Sequence, residues 1–159
     1  MVEQKTYERL LPIARQWALE QEQFVLARGS ALAPQAIADA ILVGVEDPAR
    51  VRILVVDRIP LPDHPELAAA SRRSNIITEA SRGITIGHGI IIRADSWGDR
   101  ELLLHLFIHV AQCERSGGLE SFVEHYLSDR RNCANFTVGA LEEEARSTAR
   151  NLCAGRVPA

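Results

Sequence analysis

Residues 102–111 read LLLHLFIHVA, an apolar run that is broken only by His105 and His109. The run is long enough for a helix and leaves no polar face, which is typical of a helix buried on all sides. The residues that follow, Ser116-Gly117-Gly118, are of the kinds that end helices. The sequence therefore predicts a buried helix whose interior polar groups are two imidazoles.

The spacing of the two histidines indicates chemistry. Because His105 and His109 are four residues apart, both imidazoles project from one face of the helix, about one turn apart. Two rings in that arrangement can bind a single metal ion. Burying them in an apolar helix costs desolvation free energy unless each finds a strong partner, and a metal ion would satisfy both. The alternative interpretation is that each imidazole is hydrogen-bonded to a backbone carbonyl in the core.

The rest of the chain predicts an α+β fold, with a small sheet and helices that flank the buried one. The predicted helices cover residues 4–28, 34–43, 66–73, 119–127 and 140–152, and the predicted strands cover residues 51–57 and 84–93. Pro12 falls inside the first helical pattern, which leaves open a later start near Leu11. The strands do not alternate regularly with helices, so a repeated βαβ architecture is not expected.

The composition limits the classes of protein to which the chain can belong. The 159 residues are 47% hydrophobic and 25% charged, which suits one globular domain over residues 1–159. A formal net charge of −3 without a basic block argues against nucleic acid or an anionic membrane as partner. No apolar run approaches the roughly 18 residues of a membrane span, and the three cysteines form no CxxC pair. We therefore expect a cytoplasmic protein with a small-molecule substrate; its oligomeric state stays open.

The segment from Asp99 to Arg115 resembles the active-site helix of small zincin-like metallopeptidases, whose signature is HExxH. Two later stretches, GGLESF at 117–122 and LEEEAR at 141–146, resemble the segments that follow this helix in bacterial members of the family. The strand that contains residues 87–89 lies where that fold places an edge strand beside the cleft. The resemblance covers roughly residues 50–150 and implies a zincin-like domain.

The resemblance also implies a metal site. In the family, two histidines of the helix and a glutamate from a later helix bind zinc, which is the gluzincin type of ligand set. The matching positions are His105 and His109 and, through an E-x-x-A pattern, Glu142, with Glu143 and Glu144 as alternatives. Two imidazoles and one carboxylate suit Zn²⁺, and they also suit Fe²⁺. One divalent metal ion of either kind is expected.

The chain departs from the family at the residue after the first histidine. The family has a glutamate there that takes a proton from the metal-bound water and passes it to the leaving group, whereas this chain has Leu106. Leucine transfers no proton, so ordinary proteolysis is not expected. Either the site is kept and its chemistry has changed, or the link to the family is structural only.

Three functions follow from this combination. The first is a non-proteolytic metal-dependent enzyme that acts on a small molecule, with the metal as a Lewis acid or as an activator of dioxygen. The second is a metal-binding pseudopeptidase that holds a peptide strand against residues 84–92. The third is a metallohydrolase whose base is supplied by His88 or by one of the spare glutamates.

Four further positions are expected to contribute to the site. His88 lies between two glycines on the predicted strand, so we expect it to face the cleft as an acid or base, a metal ligand or a substrate contact. Gly87 and Gly89 are expected to admit a substrate close to the backbone. Leu106 and Cys113 are expected to line the substrate cavity, the latter because it lies one turn beyond the second histidine. A surface position for His88 and a buried inert thiol for Cys113 are the alternatives.

Overall fold

The computed structural model describes residues 2–132 and 139–155, and within them six α-helices and a four-stranded mixed sheet form an α+β fold. The helices are α1 (Val2–Arg28), α2 (Pro34–Leu42), α3 (Pro65–Arg73), α4 (Arg100–Arg115), α5 (Leu119–Arg131) and α6 (Ala140–Cys153). The strands are β1 (Ser30–Ala31), β2 (Arg52–Val56), β3 (Gly83–Ile86) and β4 (Gly89–Arg93). Short 3₁₀ turns cover Pro48–Arg50 and Ala94–Ser96. The predicted α+β class is confirmed.

The sheet has the strand order β1-β2-β4-β3, with β2 and β4 parallel at its centre and the two outer strands antiparallel to their neighbours. Strand β4 is buried on both faces. Its Ile90 and Ile92 belong to one core cluster with Phe107 of α4, whereas Ile91 belongs to a second cluster with Val25 of α1. Alternate side chains thus anchor α4 on one face of the sheet and α1 on the other. Strand β3 is left at the edge.

The prediction of one strand over residues 84–93 is wrong, because this segment is a β-hairpin. Strands β3 and β4 pair antiparallel with Ile86 opposite Gly89, and Gly87 and His88 form the connecting turn. Gly87 has φ +65°, which suits the first position of a two-residue hairpin turn and which few residues other than glycine adopt. His88 therefore lies in a turn at one end of the sheet and not within a strand.

Helix α1 runs without interruption through Pro12, so a start near Leu11 is wrong. Proline removes one backbone hydrogen bond from the helix interior, which disfavours helix at that point. Leu10 and Ala14, on either side of the proline, are both buried in one cluster with Leu67 of α3. Packing of this face stabilises the helix across the missing hydrogen bond.

The described residues contain neither a disulfide bond nor a helix with the length and hydropathy that a bilayer crossing requires. Cys113 is a buried free thiol and Cys153 is an exposed one. Cys133 lies outside the described residues.

We expect Gly87→Ala to destabilise the fold by about 2–3 kcal/mol. The added Cβ would lie 2.1 Å from Oε1 of Glu22, which accepts a hydrogen bond from the backbone N–H of His88, and the positive φ adds strain. Gly44→Ala is the matched control, because its φ is +97° and its Cβ would meet nothing within 4 Å. The control is expected to lose only about 1 kcal/mol. Equal losses for both variants in urea unfolding would show that Glu22 moves aside freely and that its hydrogen bond to His88 contributes no measurable stability.

Candidate metal centre

Helix α4 presents both histidines on one face. The helix is capped by Asp99, whose side chain accepts a hydrogen bond from the backbone N–H of Leu102 at 3.1 Å. The imidazole rings of His105 and His109 have centroids 4.8 Å apart, and their Nε2 atoms are 3.1 Å apart. The four-residue spacing thus brings one nitrogen of each ring to the same point.

Helix α6 brings Glu142 to these two nitrogens. Its Oε1 lies 2.9 Å from Nε2 of His109, and its Oε2 lies 3.3 Å from Nε2 of His105. Ala145 and Ala149, on the same helix, are buried against α4 and hold α6 close to it. Within residues 2–132 and 139–155, these three side chains are the one group of three or more His, Cys, Asp or Glu residues that could hold a metal ion, and their ligand atoms lie within 4.8 Å of one another.

The two alternative glutamates point elsewhere. Glu143 is exposed. Glu144 is also exposed, and its Oε1 accepts a hydrogen bond from Arg115 at 2.7 Å and another from Gln112 at 3.2 Å. Of the three consecutive glutamates, the structure therefore brings only Glu142 to the histidines.

Gln112 orients one of the imidazoles. Its side-chain nitrogen donates to the backbone carbonyl of Leu141 at 2.9 Å and to Glu144, so its Oε1 must act as an acceptor. That oxygen lies 2.8 Å from Nδ1 of His109, which therefore carries a hydrogen. With Nδ1 used in this way, Nε2 is the nitrogen of His109 that faces Glu142 and His105 and that a metal ion would bind. A partner of this kind on the far nitrogen is the usual support of a metal-binding histidine.

The separations of the donor atoms fit a metal ion. With metal–ligand bonds of about 2.0–2.1 Å, two ligand atoms of a tetrahedral ion are about 3.3 Å apart, and adjacent ligand atoms of an octahedral ion are about 3.0 Å apart. The two Nε2 atoms are 3.1 Å apart, and each faces its own carboxylate oxygen, Oε1 at 2.9 Å from His109 and Oε2 at 3.3 Å from His105. One ligand atom from each of the three residues lies within 4.8 Å of the other two, so a metal ion would draw them together. The side chains fit either geometry without large rearrangement, so the donor set is compatible with both Zn²⁺ and Fe²⁺.

The carboxyl of Glu142 is held in its ionised form. Burial raises its pKa, but hydrogen bonds and charge from His105 and His109 outweigh burial and leave the pKa well below its usual range. Tyr126 of α5 donates a hydrogen bond to Oε1 of Glu142 at 2.8 Å. Burial and the neighbouring carboxylate raise the pKa of this phenol far above its usual value. Tyr126 is thus a fixed hydrogen-bond donor at neutral pH.

An apolar cavity of about 200 Å³ adjoins the three candidate ligands. The two histidines and Glu142 lie in its wall, together with Tyr126. All four residues of β3 line it as well, so the edge strand borders the cavity. The apolar side chains that line it include Trp17, Leu67, Ile84, Leu106, Phe122 and Leu127.

The structure does not bring His88 to this cluster. Its Nε2 lies 3.0 Å from a carboxylate oxygen of Glu114, nine residues beyond His105 along α4, and both side chains are largely buried. Glu114 is five residues beyond His109, which is about 7.5 Å along the helix and about 140° around it, so it lies on a different face of α4 from the two histidines. Gly87 lies in the same turn, and Gly89, the first residue of β4, packs against Val25 of α1. None of the three residues lines the apolar cavity.

Leu106 lies in the cavity wall as expected, but Cys113 does not. The Cys113 side chain is buried in the core cluster formed with α1 and α5. Burial and the nearby carboxylates Glu22 and Glu114 raise the pKa of this thiol to about 12. Such a thiol is protonated at neutral pH, which matches the alternative of a buried inert cysteine.

Gln112 and Tyr126 belong to the site although their sequence context did not single them out. Gln112 gives a weak signal, since it is a polar residue that extends the face of the two histidines by one turn. Tyr126 gives none, because its position on the apolar face of α5 is that of an ordinary core residue.

Compared with known proteins, the chain matches no protein-family model, no curated protein and no solved structure.

We expect His105→Ala, His109→Ala and Glu142→Ala each to weaken zinc binding by at least about 100-fold, because each removes one of three ligands. Glu143→Ala is the matched control, since that side chain is exposed and one residue away. Competition against a chelator of known affinity measures the change. Unchanged affinity in both histidine variants would exclude a metal site on α4. A loss of zinc affinity in Glu143→Ala but not in Glu142→Ala would show that the third ligand is Glu143, with the two histidines unchanged as ligands.

Gln112→Met is expected to weaken zinc binding by about 10–100-fold, less than the loss of a ligand, because the His109 ring loses the acceptor that fixes its orientation. Glu144→Gln serves as the control. It keeps an acceptor for Gln112 and leaves His109 untouched. The same competition assay applies, and an affinity equal to that of the unmodified protein would show that Gln112 does not orient the ligand.

Proposed function

We propose that the chain is a non-proteolytic, metal-dependent enzyme that acts on a small molecule and is built on a zincin-like scaffold. One observation carries the proposal: three potential ligand atoms converge in the wall of an apolar cavity. His105, His109 and Glu142 would hold one Zn²⁺ or Fe²⁺. Such an ion supplies Lewis-acid activation of the substrate or, if it is iron, chemistry with dioxygen.

Three features support the zincin-like scaffold. The two histidines lie four apart on a buried helix, a glutamate from a later helix joins them, and an edge strand borders the cavity. These are the features that the sequence resemblance implies. The scaffold is part of the proposal.

The side chains that line the cavity limit the reactions that the site can support. Apart from the three ligands, Tyr126 is its one titratable side chain among the described residues. Because the pKa of that phenol is raised, Tyr126 donates a hydrogen bond and does not serve as a base at neutral pH. The site therefore supports reactions that need a polarised substrate or electron transfer more than reactions that need proton abstraction by a side chain.

A metallohydrolase with a substitute base is less well supported. His88 is hydrogen-bonded to Glu114, on a different face of α4 from the two histidines, and does not line the cavity. Glu143 and Glu144 do not line the cavity. Each group proposed from the sequence as a replacement for the missing glutamate thus lies away from the ligands.

A metal-binding pseudopeptidase is the second candidate, and β3 is the observation that favours it. This strand pairs with β4 along one side only, within the described residues, and all of it borders the cavity. An extended peptide could pair with the other side by β-augmentation. The size and apolar lining of the cavity favour a small molecule.

We expect the zinc-loaded protein to leave casein intact, since no side chain at Leu106 relays a proton to the leaving nitrogen. Metal analysis of protein purified without added metal accompanies the assay, and iron as the bound metal would separate the enzyme from the peptidase-like alternatives. His109→Ala, prepared in parallel, controls for contaminating proteases. Zinc-dependent cleavage that disappears in this variant would overturn the proposal in favour of a hydrolase.

A further inference from the structure

The polar groups of the cavity are concentrated at the candidate metal centre. The Thr85 hydroxyl, elsewhere in the wall, donates a hydrogen bond to the backbone carbonyl of Leu106 at 2.7 Å and is therefore already used by the protein. Among the described residues, the other polar groups that side chains bring to the wall away from the candidate ligands are the Ser71 hydroxyl, which is buried, and the Trp17 indole N–H. The remaining wall offers a ligand almost nothing but hydrocarbon.

The charges in the cavity wall exclude several classes of substrate. Among the described residues, no lysine or arginine lines the cavity, and its one carboxylate is Glu142. A phosphate, a nucleotide or a sugar would bury several polar groups without partners, at a cost in free energy that grows with each of them. A substrate with an ammonium group would find no carboxylate other than the one that faces the histidines.

The ligand set leaves room for one anionic or strongly polar end group. A divalent ion held by two neutral imidazoles and one carboxylate has a net charge of +1, which a single carboxylate or hydroxamate oxygen group would neutralise. Tyr126 adds a hydrogen-bond donor at the same end of the cavity. Recognition at this end is thus suited to one oxygen-bearing group.

We infer that the substrate is an apolar chain or ring with a single oxygen-donor end group, in the class of medium-chain carboxylic acids and their derivatives. This inference rests on the proposed function, because the end group would be held at the metal. A cavity of 150 Å³ lined by aliphatic and aromatic side chains binds benzene. At about 200 Å³, this cavity accommodates a body of about six to eight carbon atoms.

A series of straight-chain alkyl hydroxamic acids, from two to twelve carbons, tests the inference by isothermal titration calorimetry on the zinc-loaded protein. We expect Kd to fall about fourfold for each added methylene, because each is removed from water, up to about eight carbons. Beyond that length, Kd should stay constant. A Kd that does not change with chain length would overturn the inference even if zinc binds as proposed.

Val123 is a half-buried residue of α5 in the cavity wall. Substitutions there are expected to change the chain length at which Kd stops falling. In Val123→Phe, the increase in affinity with chain length should end about two carbons earlier, because the cavity is smaller. In Val123→Ala, it should end about two carbons later. Val55→Phe is the control, because Val55 is 44% exposed on β2 and does not line the cavity. Unchanged limits in both Val123 variants, with circular dichroism that shows intact folds, would place the chain outside this cavity and overturn the inference.

Binding measurements on the metal-free protein distinguish a failure of this inference from a failure of the proposed function. Straight-chain primary alcohols carry the same apolar body with an end group that binds metal weakly. If zinc does not bind but the alcohols tighten with chain length, the proposed function fails and the apolar recognition stands. If zinc binds and neither series depends on chain length, the substrate class is wrong and the metal site stands.

Discussion

The two imidazoles on the buried helix α4 constrain how α5 and α6 pack against it. A buried polar group without a partner costs free energy, so each ring of α4 needs a partner from another element. Glu142 from α6 meets both rings, and Gln112 satisfies the far nitrogen of His109. Tyr126 from α5 then stabilises the buried carboxylate. One polar network therefore joins α4, α5 and α6, in addition to their apolar contacts.

Much of the helical framework followed from local patterns in the sequence. Apolar residues at helical spacing predicted α5 and α6 within a few residues of their observed ends, and the continuous apolar run predicted the burial of α4. The four-residue spacing is geometry within one helix, so the juxtaposition of His105 and His109 needed no tertiary information. The choice of Glu142 over its two neighbours came from the family resemblance, because a run of three glutamates gives no local signal.

Features that depend on contacts between distant segments were not predictable in the same way. Residues 84–93 were interpreted as one strand because their β-branched residues continue across Gly87, and the hairpin became apparent only from the pairing of Ile86 with Gly89. This error also placed His88 beside the candidate metal centre, whereas the hairpin turn brings it to Glu114 near the end of α4. Strand β1 has two residues and is too short for any periodicity. The role of Tyr126 depends on the packing of α5 against α6, which no pattern within α5 contains.

Leu106 links the lining of the cavity to the packing of α4 against the sheet. Its side chain lies against the backbone of Gly83 on β3, where a Cβ at residue 83 would come within 2.8 Å of it, and its carbonyl accepts the hydrogen bond from Thr85. The position that carries a glutamate in the resembled family is therefore part of the contact between α4 and the edge strand. A carboxylate there would enter an apolar wall that offers it few partners. Leu106 thus contributes both to the apolar lining of the cavity and to the contact that holds β3 against α4.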